Sequence, residues 1–358
     1  MKKIRVLIVD DSALMRQILT ALLSEDPEIE VVGTAPDPYV ARDRIKELNP
    51  DLLTLDIEMP KMDGLTFLKK LMAAHPMPVL IVSSLTEEGC DTTLRALELG
   101  AVDFFSKPKL DMQAGMEAQT EALIAKVKAA SQARVIRRAP RPSQEKARPY
   151  VLKSSAMIKT TDVIIAIGAS TGGTEALKEF LTVLPPNTPP LLITQHMPER
   201  FTNSFANYLN QLCSIKVKEA EEDDRVLTGE ALIAPGNYHM RLVRDGARYR
   251  VRLDQEPPVN RHRPSVDVLF NSVAECAGAN SIGVILTGMG ADGANGLLKM
   301  KEAGAMTLAQ DEASCVVFGM PKEAIKRGAV DRVLPLCEIP SAVLQYVELH
   351  HYRRQRSH

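Results

Sequence analysis

The sequence has no tryptophan, few cysteines and no long apolar run, and these absences limit the kinds of protein it can encode. Its 5 cysteines among 358 residues include no Cys-x-x-Cys pair, which argues against a disulfide framework and favours a reducing compartment. No apolar stretch approaches the roughly 18 residues of a membrane-spanning helix. The N-terminal run MKKIRVLIVDD reaches acidic residues too early for a signal peptide. We therefore expect a cytoplasmic protein that does not insert into a membrane.

An excess of charge of one sign is also lacking. The chain has 44 Lys+Arg and 45 Asp+Glu, a net charge of -1, so no chain-wide field attracts polyanions and we expect no nucleic-acid partner. With 45% hydrophobic and 25% charged residues, the composition is that of a globular protein. At about 150 residues per domain, the length predicts two or three domains.

The first part of the chain alternates short apolar runs with helical patterns, as expected for a parallel sheet covered on both faces. This pattern predicts a flavodoxin-like (βα)5 fold for a domain at residues 1–125. The predicted strands are residues 4–9, 31–33, 52–55, 79–82 and 102–105.

The composition changes after about residue 130, where basic residues and prolines surround a single acid, Glu145. We predict a solvated interdomain linker at residues 126–160. A second domain at residues 161–350 is predicted to be a doubly wound, mostly parallel α/β sheet, with an antiparallel hairpin around Asp245-Gly246. Its parallel strands are predicted at residues 163–167, 191–194, 282–287 and 305–309.

Five polar residues end the predicted strands of the first domain: Asp10 and Asp11, then Asp56, Ser83 and Lys107. Strand ends of an open parallel sheet share one crevice, where convergent carboxylates suit Mg²⁺. Asp56 is a plausible phosphoryl acceptor, with Lys107 and Ser83 supporting the phosphate oxygens. The alternative is that the two acids near residue 10 only cap a helix and that Lys107 is a surface residue.

The same residues carry a family resemblance over roughly residues 1–125. The first domain resembles the receiver domain of two-component response regulators at Asp10-Asp11, Asp56, Met59-Pro60-Lys61-Met62-Asp63-Gly64, Ser83 and Lys107-Pro108. The resemblance implies phosphorylation of Asp56 by a histidine kinase, with Mg²⁺ bound by Asp11 and Asp56 and with Asp10 alongside. Because a receiver is an input module, the output activity is expected beyond the linker.

In the second domain, the run GASTGG places Ser170 at a turn between a buried strand and a helix. The run is not a P-loop, because no GK[ST] follows, and it lacks the GxGxxG spacing of a dinucleotide loop. It fits a GxSxG nucleophile turn, although small residues also occur wherever a helix packs close to a strand. Ser170 is therefore a candidate nucleophile.

Two further strand ends supply partners for Ser170. His196 ends the next predicted parallel strand and is the candidate base. Asp292, in the run TGMGADG, is the candidate acid that orients the imidazole, or it only caps the following helix. The chain order Ser, His, Asp differs from the Ser, Asp, His order of α/β-hydrolases and disfavours a conventional lipase or esterase.

That order, together with the runs GASTGG, TQHMP, HRPSVDVLF, LTGMGADG and SCVVFGMP, resembles the chemotaxis protein-glutamate methylesterases. With the receiver and the linker, the resemblance covers nearly the whole chain. It implies hydrolysis of glutamate γ-methyl esters on chemoreceptors, regulated by phosphorylation, and deamidation of receptor glutamines. It also implies the Ser170, His196 and Asp292 triad and an oxyanion hole formed by backbone N–H groups at Thr171 and Met289.

The implied partners are methyl-accepting chemoreceptors as substrate and the chemotaxis histidine kinase as phosphodonor. Mg²⁺ is expected at the receiver, and no cofactor is expected for the esterase reaction. We expect a monomer. The main alternative is a receiver-controlled hydrolase that acts on another ester or amide; a DNA-binding output is disfavoured because the second half lacks a basic helix-turn-helix pattern. A nucleotide-binding or dehydrogenase domain is a further alternative.

Overall fold

The structure of the chain is a computed structural model that describes residues 2–59, 63–83, 86–107, 116–133 and 163–356. The chain divides into two compact units, Met1–Ala139 and Pro140–His358. Within the described ranges, no helix combines the length and the apolar character needed to cross a bilayer. Most of the predicted linker, from residue 134 onward, lies outside the described residues.

The first unit contains a five-stranded sheet whose neighbouring strands are all parallel, in the order β2-β1-β3-β4-β5. This is the predicted (βα)5 arrangement, with the strand order reversing between β1 and β3. Its strands are β1 (Ile4–Val9), β2 (Ile29–Ala35), β3 (Leu52–Asp56), β4 (Val79–Ser83) and β5 (Asp103–Ser106). Its helices are α1 (Ala13–Ser24), α2 (Pro38–Leu48), α3 (Gly64–Ala74), α4 (Glu87–Glu98) and α5 (Met116–Ser131).

Side-chain caps fix where these helices begin. Ser12 precedes α1 and its hydroxyl accepts a hydrogen bond from the N–H of Met15, as its residue type predicts. Helix α5 continues to Ser131, beyond the predicted domain end at residue 125, because Leu123 and Val127 keep apolar spacing and are fully buried. The proposed domain limits therefore remain predictions, with α5 extending into the predicted linker.

The second unit contains a seven-stranded parallel sheet in the order β14-β13-β12-β6-β7-β9-β8. The strands β10 and β11 form a separate antiparallel hairpin. The strands are β6 (Ile164–Ala169), β7 (Leu191–Gln195), β8 (Lys216–Glu219), β9 (Glu230–Ile233), β10 (His239–Asp245), β11 (Arg248–Asp254), β12 (Ser281–Ile285), β13 (Met306–Gln310) and β14 (Arg332–Leu334). The helices are α6 (Gly173–Leu181), α7 (Phe201–Leu212), α8 (Val266–Cys276), α9 (Ala294–Glu302), α10 (Met320–Lys326) and α11 (Ile339–Arg356).

This arrangement confirms the predicted mostly parallel α/β fold with an antiparallel hairpin. The hairpin turn is Gly246-Ala247, between the paired residues Asp245 and Arg248, one residue later than the predicted centre. The hairpin packs on α8, where the hydroxyl of Ser272 accepts a hydrogen bond from the N–H of Leu242.

Three strands were not predicted, and several boundaries differ from the prediction. The strands β8, β9 and β14 were not predicted, because each spans only three or four residues and three of the four residues of β8 (KVKE) are charged. The run predicted as a strand to residue 287 ends at Ile285, since Leu286 and Thr287 continue as buried loop. Helix α11 continues past the predicted domain end at residue 350.

All 5 cysteines are free thiols, in agreement with the absence of a predicted disulfide framework. Cys90 and Cys315 are buried, Cys213 and Cys276 are partly buried, and Cys337 is exposed. Burial raises the pKa of the Cys213 thiol to about 11 and that of Cys315 to about 12.

Candidate functional site

Three carboxylates meet at one edge of the first sheet. Asp10 and Asp11 follow β1 and Asp56 ends β3, and one oxygen from each lies within 4.8 Å of the others. Asp10 and Asp56 are buried, whereas Asp11 is exposed. Carboxylate oxygens at this separation are a donor set that suits Mg²⁺ with water completing the coordination. These residues therefore fit the predicted metal site.

Lys107 follows β5 and reaches the same cluster. Its Nζ lies 2.6 Å from Asp56 Oδ2 and 3.4 Å from Asp10 Oδ2. Burial raises the pKa of Asp56 to about 6, and the hydrogen bond from Lys107 offsets only part of that effect. Burial also raises the pKa of Asp10. A nearby cation therefore stabilises the ionised form of both carboxyls, and the protein itself provides one in Lys107.

Ser83 ends β4 at the same sheet edge and is fully buried. It pairs in register with Ser106, the residue before Lys107, and its hydroxyl lies 3.4 Å from the carbonyl oxygen of Gly89. After Asp56, residues 60–62 and 108–115 lie outside the described residues. The structure thus brings the predicted receiver residues to one edge, and their individual roles remain predictions.

In the second unit, Ser170 directly follows β6 at a sharp turn. Its carbonyl oxygen accepts a hydrogen bond of 2.7 Å from the N–H of Gly173, the first residue of α6. Gly172 between them has φ +77°, and a Cβ there would lie 2.6 Å from Val316, so the turn needs glycine. Ser170 is half-buried, which leaves its hydroxyl accessible at the helix N-terminus.

His196 follows β7 and lies beside Ser170 because β6 and β7 are adjacent. Its Nδ1 is 3.2 Å from Ser170 Oγ, and its Nε2 is 2.8 Å from Asp292 Oδ2. A carboxylate only accepts hydrogen bonds, so Nε2 carries the proton and Nδ1 faces the hydroxyl as an acceptor. The three predicted residues therefore form a connected Ser-His-Asp array.

Asp292 is buried and accepts hydrogen bonds from five donors: His196, Asn260, Ser265 and the N–H groups of Val266 and Asp267. Burial alone would raise the pKa of this carboxyl, but these hydrogen bonds, with that from His196 the strongest, hold the pKa well below its usual range. Asp292 is therefore ionised at neutral pH.

The alternative prediction, that Asp292 caps the helix after it, is wrong. The N-cap of α9 is Gly293 and makes no side-chain cap bond. Asp292 instead contacts the N-terminus of α8, while Asp267 of α8 accepts a 2.6 Å hydrogen bond from the N–H of Gly296 in α9. A carboxylate just before α9 thus binds the N-terminus of α8, and a carboxylate of α8 binds the N-terminus of α9. Sequence spacing alone does not reveal this reciprocal capping.

The loop after β12 packs directly against the Ser170 turn. A Cβ on Gly288 would lie 2.7 Å from Ser170 Cβ, so only glycine permits this approach. Thr171 is buried, and its carbonyl oxygen accepts a hydrogen bond from the Thr287 hydroxyl. Met289 follows Gly288 and is half-buried; among the described residues, no hydrogen-bond acceptor is found for its N–H. The loop therefore brings Gly288, the residue before Met289, against Ser170, and the role of the Met289 N–H in an oxyanion hole remains a prediction.

Four further residues contact the array, and the sequence did not predict a role for them: Asn260, His262, Ser265 and Asp267. The imidazole of His262 stacks on that of His196, with ring centroids 3.7 Å apart and 12° between the planes. Ser265 followed two residues later by Asp267 is a pattern typical of a helix N-terminus, and it could have indicated the start of α8. Asn260 carries no sequence signal of its contact, because the turn that positions it contains no glycine.

Two family models match the chain. The model of the CheB methylesterase matches residues 165–343, and that of the response regulator receiver domain matches residues 6–118. These ranges contain the second-unit array and the first-unit carboxylates, respectively.

Several relatives match nearly the whole chain. The protein-glutamate methylesterase/protein-glutamine glutaminase of Thiobacillus denitrificans is 58% identical over 354 residues, covering 99% of both chains. The relative of the same name from Salmonella typhimurium is 58% identical over 344 residues, covering 96% of this chain and 97% of its own.

Among solved structures, the Thermotoga maritima CheB methylesterase catalytic domain is 41% identical, with a TM-score of 0.51. It matches 51% of this chain and 98% of its own length. The family models, the near full-length identity and the shared fold agree, and the chain belongs to the CheB methylesterase family, with a receiver domain N-terminal to the methylesterase domain.

Proposed function

We propose that the chain hydrolyses γ-methyl esters of glutamate side chains in a protein substrate and deamidates glutamine side chains at the same site. The observation that carries this proposal is the Ser170, His196 and Asp292 array, with contacts of 3.2 Å and 2.8 Å. The names of the relatives supply the substrate class. The array alone would serve any ester or amide, so the identity over nearly the whole chain favours this substrate over another.

The proposed reaction begins when Nδ1 of His196 takes the proton of the Ser170 hydroxyl and Oγ attacks the ester carbonyl carbon. The tetrahedral intermediate carries an oxyanion beside the N–H groups at Thr171 and Met289. One such donor contributes about 10² to 10³ in rate. The imidazolium then returns its proton to the departing methoxide, and methanol leaves. For glutamine the leaving group is ammonia.

Hydrolysis of the acyl-enzyme repeats these steps with water. His196 removes a proton from water, hydroxide attacks the acyl carbon, and Ser170 Oγ leaves with the proton returned by His196. Asp292 holds Nε2–H throughout and stabilises the imidazolium. Because five donors already bind this carboxylate, it keeps its charge while His196 gains and loses a proton.

The receiver supplies the regulation in this proposal. Asp56 accepts a phosphoryl group from the chemotaxis histidine kinase, and Lys107 and Ser83 bind the phosphate oxygens. Asp10, Asp11 and Asp56 would hold Mg²⁺, which neutralises charge during phosphoryl transfer. The proposed substrates are methyl-accepting chemoreceptors, whose methylated helices lie in the cytoplasm, so the protein is assigned to that compartment.

The test is methanol release from methylated chemoreceptor membranes by the wild-type chain and by Ser170→Ala. Each protein is assayed with and without a small phosphodonor and Mg²⁺, and its thermal unfolding is recorded to establish that it is folded. We expect release that requires Ser170 and that increases with the phosphodonor. Release by folded Ser170→Ala would refute the proposed nucleophile, and a wild-type chain that releases no methanol would refute the substrate class.

A further inference from the structure

A tight turn at residues 259–262 contacts both His196 and Asp292 of the array. Val259 and His262 exchange backbone hydrogen bonds of 3.1 Å and 2.9 Å, which closes a two-residue turn. The two central residues, Asn260 and Arg261, have φ +53° and +69°. Asparagine tolerates this left-handed conformation, but an arginine such as Arg261 disfavours it, so the strain of the turn lies at Arg261. Such strain persists only where surrounding contacts impose it, and it is frequent at functional sites.

Two side chains of this turn, those of Asn260 and His262, contact the array. Asn260 Nδ2 donates to Asp292 Oδ1 at 2.7 Å and to Asp267 Oδ2 at 2.8 Å. The ring of His262 lies parallel to that of His196 at a centroid distance of 3.7 Å. One turn therefore contacts the base and the acid of the array at once.

The geometry points to His262 as a positioning residue for His196. The hydrogen bonds at Nδ1 and Nε2 act at the two edges of the His196 ring and define a line through it. They resist in-plane displacement well but resist tilting of the ring about that line only weakly. A flat ring in contact with one face of His196 opposes this tilt and keeps water from that face. His262 would therefore act through His196, on which its ring is stacked.

The groups around His196 agree with this role. Asp292 contacts its edge, His262 covers its face, and Asp267 lies one amide further away through Asn260. The side chain of His196 is only 7% exposed because neighbouring groups enclose it. Removal of the His262 ring would therefore leave it room to move. A displaced imidazole meets Ser170 Oγ at a poor angle, which slows proton transfer without altering the surface that binds substrate.

This inference rests on the proposed function, and its test uses the full-length chain. The variants are His262→Ala, which removes the ring, and His262→Phe, which keeps a flat ring but no ring nitrogen. Arg261→Ala is the matched control: it changes the exposed neighbour in the same turn and retains a Cβ at the same positive φ. The kcat and KM of methanol release from methylated chemoreceptor membranes are measured with phosphodonor and Mg²⁺, and thermal unfolding is recorded for each protein.

We expect His262→Ala to lower kcat about tenfold to a hundredfold with KM changed by less than about twofold. His262→Phe should recover most of the lost kcat, and Arg261→Ala should keep the wild-type kcat. An unchanged kcat in His262→Ala would overturn the inference, as would a His262→Phe variant no better than alanine. A loss in Arg261→Ala equal to that in His262→Ala would also overturn it, because the effect would then lie in the turn backbone. Absence of methanol release from the wild-type chain would instead refute the proposed function and the inference with it.

Discussion

At the scale of single residues, the two sites use buried carboxylates in opposite ways. Asp292 is surrounded by donors that lower its pKa and keep it ionised. Asp56 has fewer donors among the described residues, and burial raises its pKa to about 6. The first environment suits a permanent anion beside an imidazole, and the second suits a carboxylate whose charge must be matched by a cation. Local hydrogen bonding, rather than residue type, therefore separates the two roles.

Replacing Asp292 with asparagine tests the first environment. The amide keeps the shape but turns one acceptor into a donor. That donor faces His196 and the N–H of Val266 if it replaces Oδ2, or the N–H of Asp267 if it replaces Oδ1. We expect kcat to fall about 10² to 10⁴ fold, because the imidazole loses its orienting charge. The free energy of unfolding should also fall by about 3 kcal/mol. Steady-state kinetics and urea unfolding measure both effects, and an unchanged kcat would contradict the proposed role of Asp292.

The second environment predicts how Mg²⁺ binding depends on pH. The folded-state pKa of Asp56 lies above the usual value of 3.8, so its ionisation costs stability as the pH rises through about 6. Mg²⁺ binds the ionised carboxylates and competes with this proton. We expect Mg²⁺ to raise the unfolding temperature of the receiver clearly at pH 7.5 and little at pH 5. In Asp56→Asn the dependence on pH should largely disappear, and an equal effect of Mg²⁺ at both pH values in the wild type would contradict the assignment.

At the scale of elements, the reciprocal capping of the N-termini of α8 and α9 depends on close packing of the two helices. A Cβ on Gly296 would lie 2.7 Å from Phe270 Cβ and 3.1 Å from the Asp267 carbonyl oxygen. These distances are shorter than ordinary van der Waals contacts, so α9 can approach α8 only with glycine at this position. The Asp267 carboxylate reaches the N–H of Gly296 because of that approach.

Gly296→Ala is therefore expected to destabilise the protein, although alanine has a higher helix propensity than glycine. Alanine favours a helix interior by about 1 kcal/mol over glycine, but here its Cβ would push α9 from α8. We expect the free energy of unfolding to fall by about 1 to 3 kcal/mol. Asn295→Ala, one residue away on the exposed face of α9, is the control and should be neutral or slightly stabilising. Urea unfolding measures both, and a stabilised Gly296→Ala variant would contradict the packing argument.

Sequence patterns predicted the elements that carry Ser170, His196 and Asp292, because long apolar runs mark buried parallel strands and strand ends meet at one edge. They did not predict Asn260 or His262. The turn that positions these two residues has a left-handed backbone without glycine, so it shows no local signal, and its conformation is fixed by contacts distant in sequence. The short strands β8, β9 and β14 were missed for a related reason, since neighbouring strands rather than their own residues define them.

At the scale of the whole molecule, each compact unit contains a complete chemical site. The carboxylates of the receiver all lie within residues 10–56, and the array lies within residues 170–292. The array uses no residue of the first unit among its described hydrogen bonds. The second unit therefore contains all three residues of the Ser-His-Asp array, and the first unit contains the carboxylate cluster.

A fragment that begins at Pro140 should therefore hydrolyse methyl esters without a phosphodonor. We expect its rate of methanol release to equal or exceed that of the unphosphorylated full-length chain, because we propose that the unphosphorylated receiver inhibits the methylesterase domain and the fragment lacks that inhibition. It should not respond to a phosphodonor, and full-length Asp56→Asn should not respond either. A folded fragment that is slower than the unphosphorylated full-length chain would argue against inhibition by the receiver.

The distribution of thiols has a practical consequence for spectroscopy. Because the sequence has no tryptophan, the protein has no indole fluorescence that could interfere with an attached dye or serve as a signal. Of the 5 free cysteines only Cys337 is exposed, while burial raises the pKa of Cys213 and Cys315 and so suppresses their thiolates. A maleimide dye should therefore attach at Cys337 alone in the native protein. The wild-type chain is thus already suited to carry one fluorophore on the second unit, and a single added surface cysteine in the receiver would complete a pair for energy-transfer measurements of motion between the units.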